Sequence, residues 1–399
     1  MYDFTTSTNR ENTNAEKYTA RKELFGTEDI LPIWVADMDI DTPSFVLKDI
    51  QKRLTHPILG YEIVPKSAFQ AQINWMKNIH NVKFELNDMI YSHSVVASIN
   101  VAIEAFTNEG DNIIVQTPVY PPFFQSVKRH NREVLENKLT LKENGKYGFD
   151  LEDLKSQIND KTKLILLCSP HNPVGRVWKK EELTALLEIC IQNNIVVFAD
   201  EIHSDLIFEG NKHISFSSLN TEAKNICVTA IGVGKSFNLA GIAMSSVAIS
   251  NKILKEKFLE VYKKHHFADG SVISHVAFES AYTHGKQWIN DLKVHLYQNY
   301  IMLQSLCEKY PNQLKLTPIE ATYLAWIDCR GMNLDNKQLK DFFIKEAKLG
   351  LNPGLSFGEN GAGFIRLNFA ISTKMMQEVI QRLDKALQNK ISFAIEDKC

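Results

Sequence analysis

Between Met89 and Ile249 the chain repeats one unit: a short apolar run, a few small or polar residues, then a stretch of helix length. The apolar runs are Ile113–Gln116, Leu164–Cys168, Ile195–Ala199, Ile226–Ala230 and Ser246–Ile249. Helices are predicted between and around them at Val95–Thr107, Pro121–Asn131, Lys180–Asn193 and Lys252–Tyr262. Strands that are apolar on both faces must be covered on both faces, so the pattern predicts an α/β fold with a mostly parallel sheet between helices. In such a sheet, binding groups collect at the carboxyl ends of the strands.

The flanking regions read differently. Residues 1–30 are polar and are expected to wrap over the body. Leu31–Asp41 reads as an apolar strand ending in acidic residues, and Pro43–Leu54 and Ser67–His80 as helices around the loop Gly60-Tyr61-Glu62. Beyond residue 286 a long helix, Gln287–Tyr310, precedes Leu314–Leu316, a strand at Thr322–Asp328, a helix near Asn336–Lys348, a strand at Phe364–Asn368 and a last helix at Thr373–Gln388. These spans predict a large domain over 43–286 and a smaller α+β domain built from 1–42 and 287–399.

Charge and sulfur narrow the function classes. With 45 basic and 47 acidic residues, the chain carries no field that favours nucleic acid or an anionic membrane. No apolar run approaches the roughly 20 residues of a membrane span. Met1 to Asn14 lacks the apolar core of a signal peptide. Six scattered cysteines without a C-x-x-C pair read as reduced thiols, hence a cytoplasmic protein with no metal site.

Several residues at predicted strand ends could carry chemistry. Lys235 is the single lysine in the apolar, small-residue run Ile226–Ser246, with Gly232 and Gly234 expected to flex the chain before it. A buried lysine has a lowered pKa and becomes a nucleophile, although a snorkelling surface lysine fits the same letters. Ser94 would cap the helix that starts at Val95 and Val96, an anion site in principle and an ordinary cap in general. Tyr120 lies among prolines in Thr117–Pro122, and Asn172 lies between Pro170 and Pro173. Each reads either as a ligand contact or as a core or turn residue. Asp200, ending an apolar strand, needs a cationic partner, and His203 follows three residues later. Arg366, among apolar neighbours, suits a carboxylate of a ligand or of the protein itself. Gly234-Lys235-Ser236 matches the end of a nucleotide P-loop, but Thr229 stands at that motif's first glycine, and the aspartate strand precedes the lysine loop instead of following it.

Taken in order, these residues resemble the fold-type I enzymes of pyridoxal 5′-phosphate (PLP) in the class I/II aminotransferase superfamily. The closer resemblance is to its cystathionine β-lyase (C–S lyase) branch of MalY/PatB type. It rests on P-I-W-V-A-D-M-D-I at 32–40, G-Y at 60–61, T-P-V-Y-P-P-F at 117–123, P-H-N-P-V-G-R-V-W at 170–178, A-D-E-I-H-S-D at 199–205, K-S-F-N-L-A-G at 235–241, E-A-T-Y-L-A-W-I-D at 320–328 and G-F-I-R-L-N at 363–368. The resemblance implies a seven-stranded, mostly parallel sheet and a homodimer. It implies that Lys235 carries PLP as a Schiff base and acts as general base, that Asp200 pairs with the pyridinium nitrogen, and that Asn172 bonds the ring hydroxyl. Tyr120 would stack on the ring, with His203 beside it. Val95 and Val96 would hold the phosphate, Tyr61 would reach the phosphate of the other subunit and its substrate, and Arg366 would bind the substrate carboxylate. Two positions depart from the family pattern: Gly234 stands where a serine usually precedes the lysine, and Gly232 where another hydroxyl residue is common. The implied reaction is α,β-elimination of cystathionine, and of cysteine, to a thiol, pyruvate and ammonia. Transamination by the same site, or a regulatory binding role, are the other readings.

Overall fold

A computed structural model describes residues 2–267 and 269–396. The repeated unit of the sequence forms a seven-stranded sheet: β1 (Met89–Ser92), β2 (Asn112–Val115), β3 (Glu133–Glu136), β4 (Thr162–Cys168), β5 (Val196–Asp200), β6 (Cys227–Gly232) and β7 (Ser245–Ala248). Their order in space is β1-β7-β6-β5-β4-β2-β3. Five strands, β3 to β6 across the sheet, are parallel; β7 runs against both β6 and β1. Two reversals restore direction, so β1 ends at the same edge as the parallel strands. The carboxyl ends of β1, β2, β4, β5 and β6 therefore meet along one rim.

Helices cover both faces, as the two-sided apolar strands require. These are α1 (Ser44–Leu54), α2 (Lys66–His80), α3 (Val95–Phe106), α4 (Pro122–Arg129), α5 (Lys180–Gln192), α6 (Lys252–Lys264) and α7 (Val272–His284). On one face α3 lies across the sheet and packs on α4 and α6. On the other, α5 joins the apolar cluster that contains Ile165 and Leu167 of β4 and Val197 and Ala199 of β5, with Trp178 and Leu186 fully enclosed.

The rest of the chain builds a four-stranded antiparallel sheet from β8 (Lys315–Leu316), β9 (Leu324–Asp328), β10 (Asn352–Pro353) and β11 (Phe364–Asn368), in the order β8-β9-β11-β10. The long helix α8 (Lys286–Lys309) packs against the last helix, α10 (Thr373–Glu396). Apolar side chains from both sheets and from their helices, among them Ile99 of α3, Phe198, Leu296 of α8, Leu324 and Leu367, belong to one continuous core. Among the described residues, no helix is long and apolar enough to cross a membrane. Cys399 lies outside the described residues.

Three expectations need correction. Leu31–Asp41 is a strand only at Leu31–Pro32, which pairs with Leu349–Gly350. Beyond it the carbonyls of Trp34, Val35, Ala36 and Asp37 are taken by side chains of the site and its surroundings instead of a neighbouring strand. The helix at Asn336–Lys348 is a short α9 (Asn336–Asp341) that widens into a π turn over Phe342–Glu346. Gly232 does not flex the chain: it is a paired strand residue opposite Ser245. A Cβ there would stand 2.9 Å from Ile202 Cδ1 and from Ser245 Cβ, so glycine serves close packing.

Candidate active site

The rim where the parallel strands end encloses a cavity of about 170 Å³. Each wall comes from a different strand end. Ser94, Val95 and Val96 follow β1, Tyr120 follows β2, Asn172 follows β4, Asp200 closes β5, and Gly234 and Lys235 follow β6. Positions far apart in sequence thus converge because these strands share one direction.

Ser94 caps α3, its Oγ accepting from the Ala97 N–H at 3.1 Å. The first-turn N–H groups of Val95 and Val96 have no preceding carbonyl to meet and lie at the positive end of the helix dipole. Together with the Ser94 hydroxyl they form an anion-holding wall.

Lys235 Nζ donates to the Ala36 carbonyl at 2.7 Å, and the side chain lines the cavity. Among the described residues it has no carboxylate within salt-bridge distance. Burial lowers its amine to about 8; Arg366 adds to the shift, while Asp37 and Asp200 oppose it. About one amine in ten is then neutral at pH 7, against fewer than about one in a thousand for an ordinary lysine.

Asp200 is buried, and among the described residues its Oδ1 accepts only the Ile202 N–H at 3.0 Å. Burial pushes its carboxyl up to about 7, with the Ile202 N–H and Lys235 pulling downwards. A buried carboxylate with one neutral donor and no ion pair among the described residues calls for a cation in the cavity. His203 is also buried, with Nδ1 unpartnered, and lies edge-on to Tyr323. Burial, then Lys235 and Arg366, push it down to about 3, so its imidazole is neutral. Burial raises the Tyr120 phenol, so it too stays neutral.

Arg366 lies in the middle of β11, paired with Trp326 on one side and Asn352 on the other. Its Nη1 donates to Asn172 Oδ1 at 3.1 Å, and its Nη2 to Asn352 Oδ1 at 2.7 Å and the Trp34 carbonyl at 2.8 Å. Its Nε is buried without a partner, and the guanidinium lies over Phe357. All its acceptors are neutral, so the charge is unmatched; burial lowers it to about 10. The Asn172 oxygen is committed to Arg366, which leaves its amide N–H groups for the cavity.

The cavity thus offers an anion seat, a part-neutral amine and an unpaired carboxylate, and behind its Asn172 wall stands an unpaired guanidinium. A group with a phosphate, an aldehyde and a ring nitrogen able to hold a proton fits three of these; a substrate carboxylate fits the fourth. Tyr61 lies elsewhere, fully exposed on the loop before α2.

Sequence reasoning missed the segment that roofs the cavity. Ala36 O also accepts from the Tyr323 hydroxyl at 2.8 Å. Asn238, three residues after Lys235, holds Met38 N–H and the carbonyls of Met38 and Ile40. Asp37 and Asp39 are both bridged by Lys17, which is wholly buried, and by Arg10. The polar N-terminal segment is therefore latched to the roof by four ion pairs. The one available signal was the pair of carboxylates at 37 and 39 inside an apolar run.

Residues 36–383 match the family of class I and II aminotransferases. The chain is 35% identical to cystathionine β-lyase PatB of Bacillus subtilis, over 94% of this chain and 97% of that protein. It is 27% identical to the protein MalY of Escherichia coli, over 97% and 99%. The crystal structure of cystalysin from Treponema denticola, which contains pyridoxal 5′-phosphate, superposes with a TM-score of 0.94 at 32% identity, covering 98% of this chain and 99% of that one.

Proposed function

This chain belongs to the class I and II aminotransferase family, and from that membership we propose that it is a PLP-dependent carbon–sulfur lyase. It cleaves cystathionine, and cysteine as a second substrate, by α,β-elimination. The observation that carries the reading is the convergence of Lys235 and Asp200 on one cavity, with Arg366 bonded to the Asn172 that lines it, each with its charge unmatched by the protein among the described residues.

PLP, when bound, supplies a ring that accepts the electron pair left at the substrate Cα. The chain's residues do the rest. The Ser94 hydroxyl and the N–H groups of Val95 and Val96 would hold the phosphate, Asn172 Nδ2 would donate to the ring hydroxyl, and Tyr120 and His203 would flank the ring. Asp200 would keep the proton on the ring nitrogen. Arg366 exchanges a neutral acceptor for the substrate carboxylate and so orients Cα–H. Lys235 Nζ would hold the cofactor's aldehyde carbon at rest and would take the Cα proton as general base. The Cβ–S bond would then break, the sulfur leaving as a thiol with the proton that Lys235 took from Cα, and water would convert the three-carbon remainder to pyruvate and ammonia.

The large and small domains of the family, over 43–286 and over 1–42 with 287–399, are part of this reading, as are a cytoplasmic location and a homodimer without nucleic acid. The loop before α2 supports the dimer: Ile58, Leu59, Tyr61 and Ile63 are 66%, 59%, 111% and 83% exposed, an apolar run with nothing to cover it in one chain. Tyr61 would complete the phosphate site of a second copy. Incubation with cystathionine and no 2-oxo acid should release pyruvate and homocysteine in equal amounts, from a species that sediments at twice the chain mass. Transamination needs an acceptor, so absence of pyruvate under these conditions would refute the lyase.

The two glycines behave differently under substitution. A Cβ at Gly234 would lie 3.4 Å from Ala240 Cα, an ordinary contact, so serine fits there beside the anion wall. Gly234→Ser is expected to tighten PLP binding by about 1–3 kcal/mol, the value of one hydrogen bond to a charged group. Equilibrium dialysis of the cofactor would read the change. Gly232→Ser, which must displace Ile202 or Ser245, is expected instead to lower the melting temperature.

A further inference from the structure

The residue after Lys235 is held more firmly than the lysine itself. Ser236 is fully buried; its Oγ donates to Asp205 Oδ2 at 2.7 Å, and its carbonyl accepts from Trp288 Nε1 at 3.0 Å. Asp205 is itself fixed from two further directions. Its Oδ1 accepts from Trp75 Nε1 at 2.8 Å and faces His80 Nε2 at 2.7 Å. Burial works to raise its carboxyl, but His80, Trp75 and Ser236 hold it below the ordinary carboxylate range. The carboxylate therefore stays ionised while buried and accepts from three donors at once. His80 ends α2, Trp75 lies earlier on the same helix, Trp288 is on α8, and Asp205 follows shortly after Asp200. Elements from distant parts of the chain meet at the single residue next to the amine that does the chemistry. Asp205 itself does not line the cavity.

We propose that Asp205 is a positioning residue for Lys235: through Ser236 it fixes the backbone that carries the lysine, and so sets where Nζ stands relative to Cα–H. This deepens the lyase reading and rests on it. The physical ground is the steep dependence of proton transfer on geometry. A shift of roughly 1 Å, arising outside the reacting groups, can cost about a hundredfold in rate. The Lys235 side chain is long and flexible and makes, among the described residues, one hydrogen bond of its own, to Ala36 O. A fixed Cα is then the main restraint on where the amine lies when it is released. Binding of substrate depends on Arg366, which is on another sheet and makes no hydrogen bond to this cluster.

The test uses the PLP-loaded, full-length protein with Ser236→Ala, which removes the link and leaves Asp205 with two donors, and Asp205→Asn, which removes the charge. Three quantities are measured: kcat and KM for cystathionine, the pH midpoint of the visible absorbance change of the bound cofactor, and the melting temperature. For both variants kcat should fall by about tenfold to a hundredfold, KM should stay within about twofold, and the spectral midpoint should move. The midpoint decides. A variant that melts earlier with an unmoved midpoint and unchanged kcat makes Asp205 a packing residue and overturns the proposal. If one variant does not fold, the other decides alone. If the parent protein releases no pyruvate, the lyase reading fails, while the spectral midpoint still tests whether Asp205 acts on Lys235.

Discussion

Replacing Lys235 with alanine should lower kcat for pyruvate release from cystathionine by about 10⁴-fold or more, with the fold intact. General-base catalysis alone accounts for roughly 10²–10⁴, and in the proposed mechanism the same amine also holds the cofactor. The chain's other candidate bases cannot take over. In the proposed mechanism Asp200 serves the far end of the ring; burial raises the Tyr120 phenol, and it pushes His203 down to about 3, far too weak to remove a carbon-bound proton. The alanine removes a buried, partly charged amine with a single backbone partner, so the melting temperature should hold or rise. Pyruvate assay and thermal melting read the two effects. A variant that still turns over within tenfold of the parent would remove the lysine from the mechanism.

The second large effect is expected at Asp200. Asp200→Ala should cost kcat about 10²–10³-fold, the usual loss when one aligned electrostatic group is removed from a site. PLP should still bind through Lys235 and the phosphate wall, so cofactor content separates this variant from a misfolded one. Asp200 also predicts a pH dependence. Without a cation its carboxyl titrates at about 7 in the folded chain, above the unfolded value of about 4. A raised folded pKa contributes stability that is full below about pH 4 and is lost as the pH rises through about 7. In the proposed site a protonated ring nitrogen would supply the missing countercharge and restore it. The gap in melting temperature between cofactor-loaded and cofactor-free protein should therefore widen from about pH 4 to about pH 7. In Asp200→Ala that widening should largely vanish; if it persists unchanged, another group is responsible.

What could be read from sequence followed from how locally each feature is determined. The central strands were legible because burial on both faces demands continuous apolar runs. The edge strand β3 was not, because its outer positions face water and carry Glu133 and Glu136. Helix α7 was missed for the opposite reason. It packs against α1 and α2 and is enclosed on several sides, so Ser274, His275 and Ser280 are buried along with Phe278 and Tyr282, and no single apolar stripe appears. The residues around the cavity were legible because strand ends in such a sheet have one place to go. Asp205 and Lys17 were not, since their partners lie 31 residues away at Ser236 and 20 and 22 residues away at Asp37 and Asp39, and nothing local marks the pairing.

The N-terminal latch makes the cavity depend on residues that never touch it. Trimming the first twenty or so residues would leave every catalytic side chain in place on paper. It would also strand Asp37 and Asp39 side by side with neither Lys17 nor Arg10 to neutralise them. Two such carboxylates repel and seek water, and the peptide between Trp34 and Asp39 would follow them outward. Ala36 would then abandon Lys235 and Tyr323, and Trp34 would abandon Arg366. A shortened protein would keep its central sheet and still lose the ceiling under which the chemistry takes place.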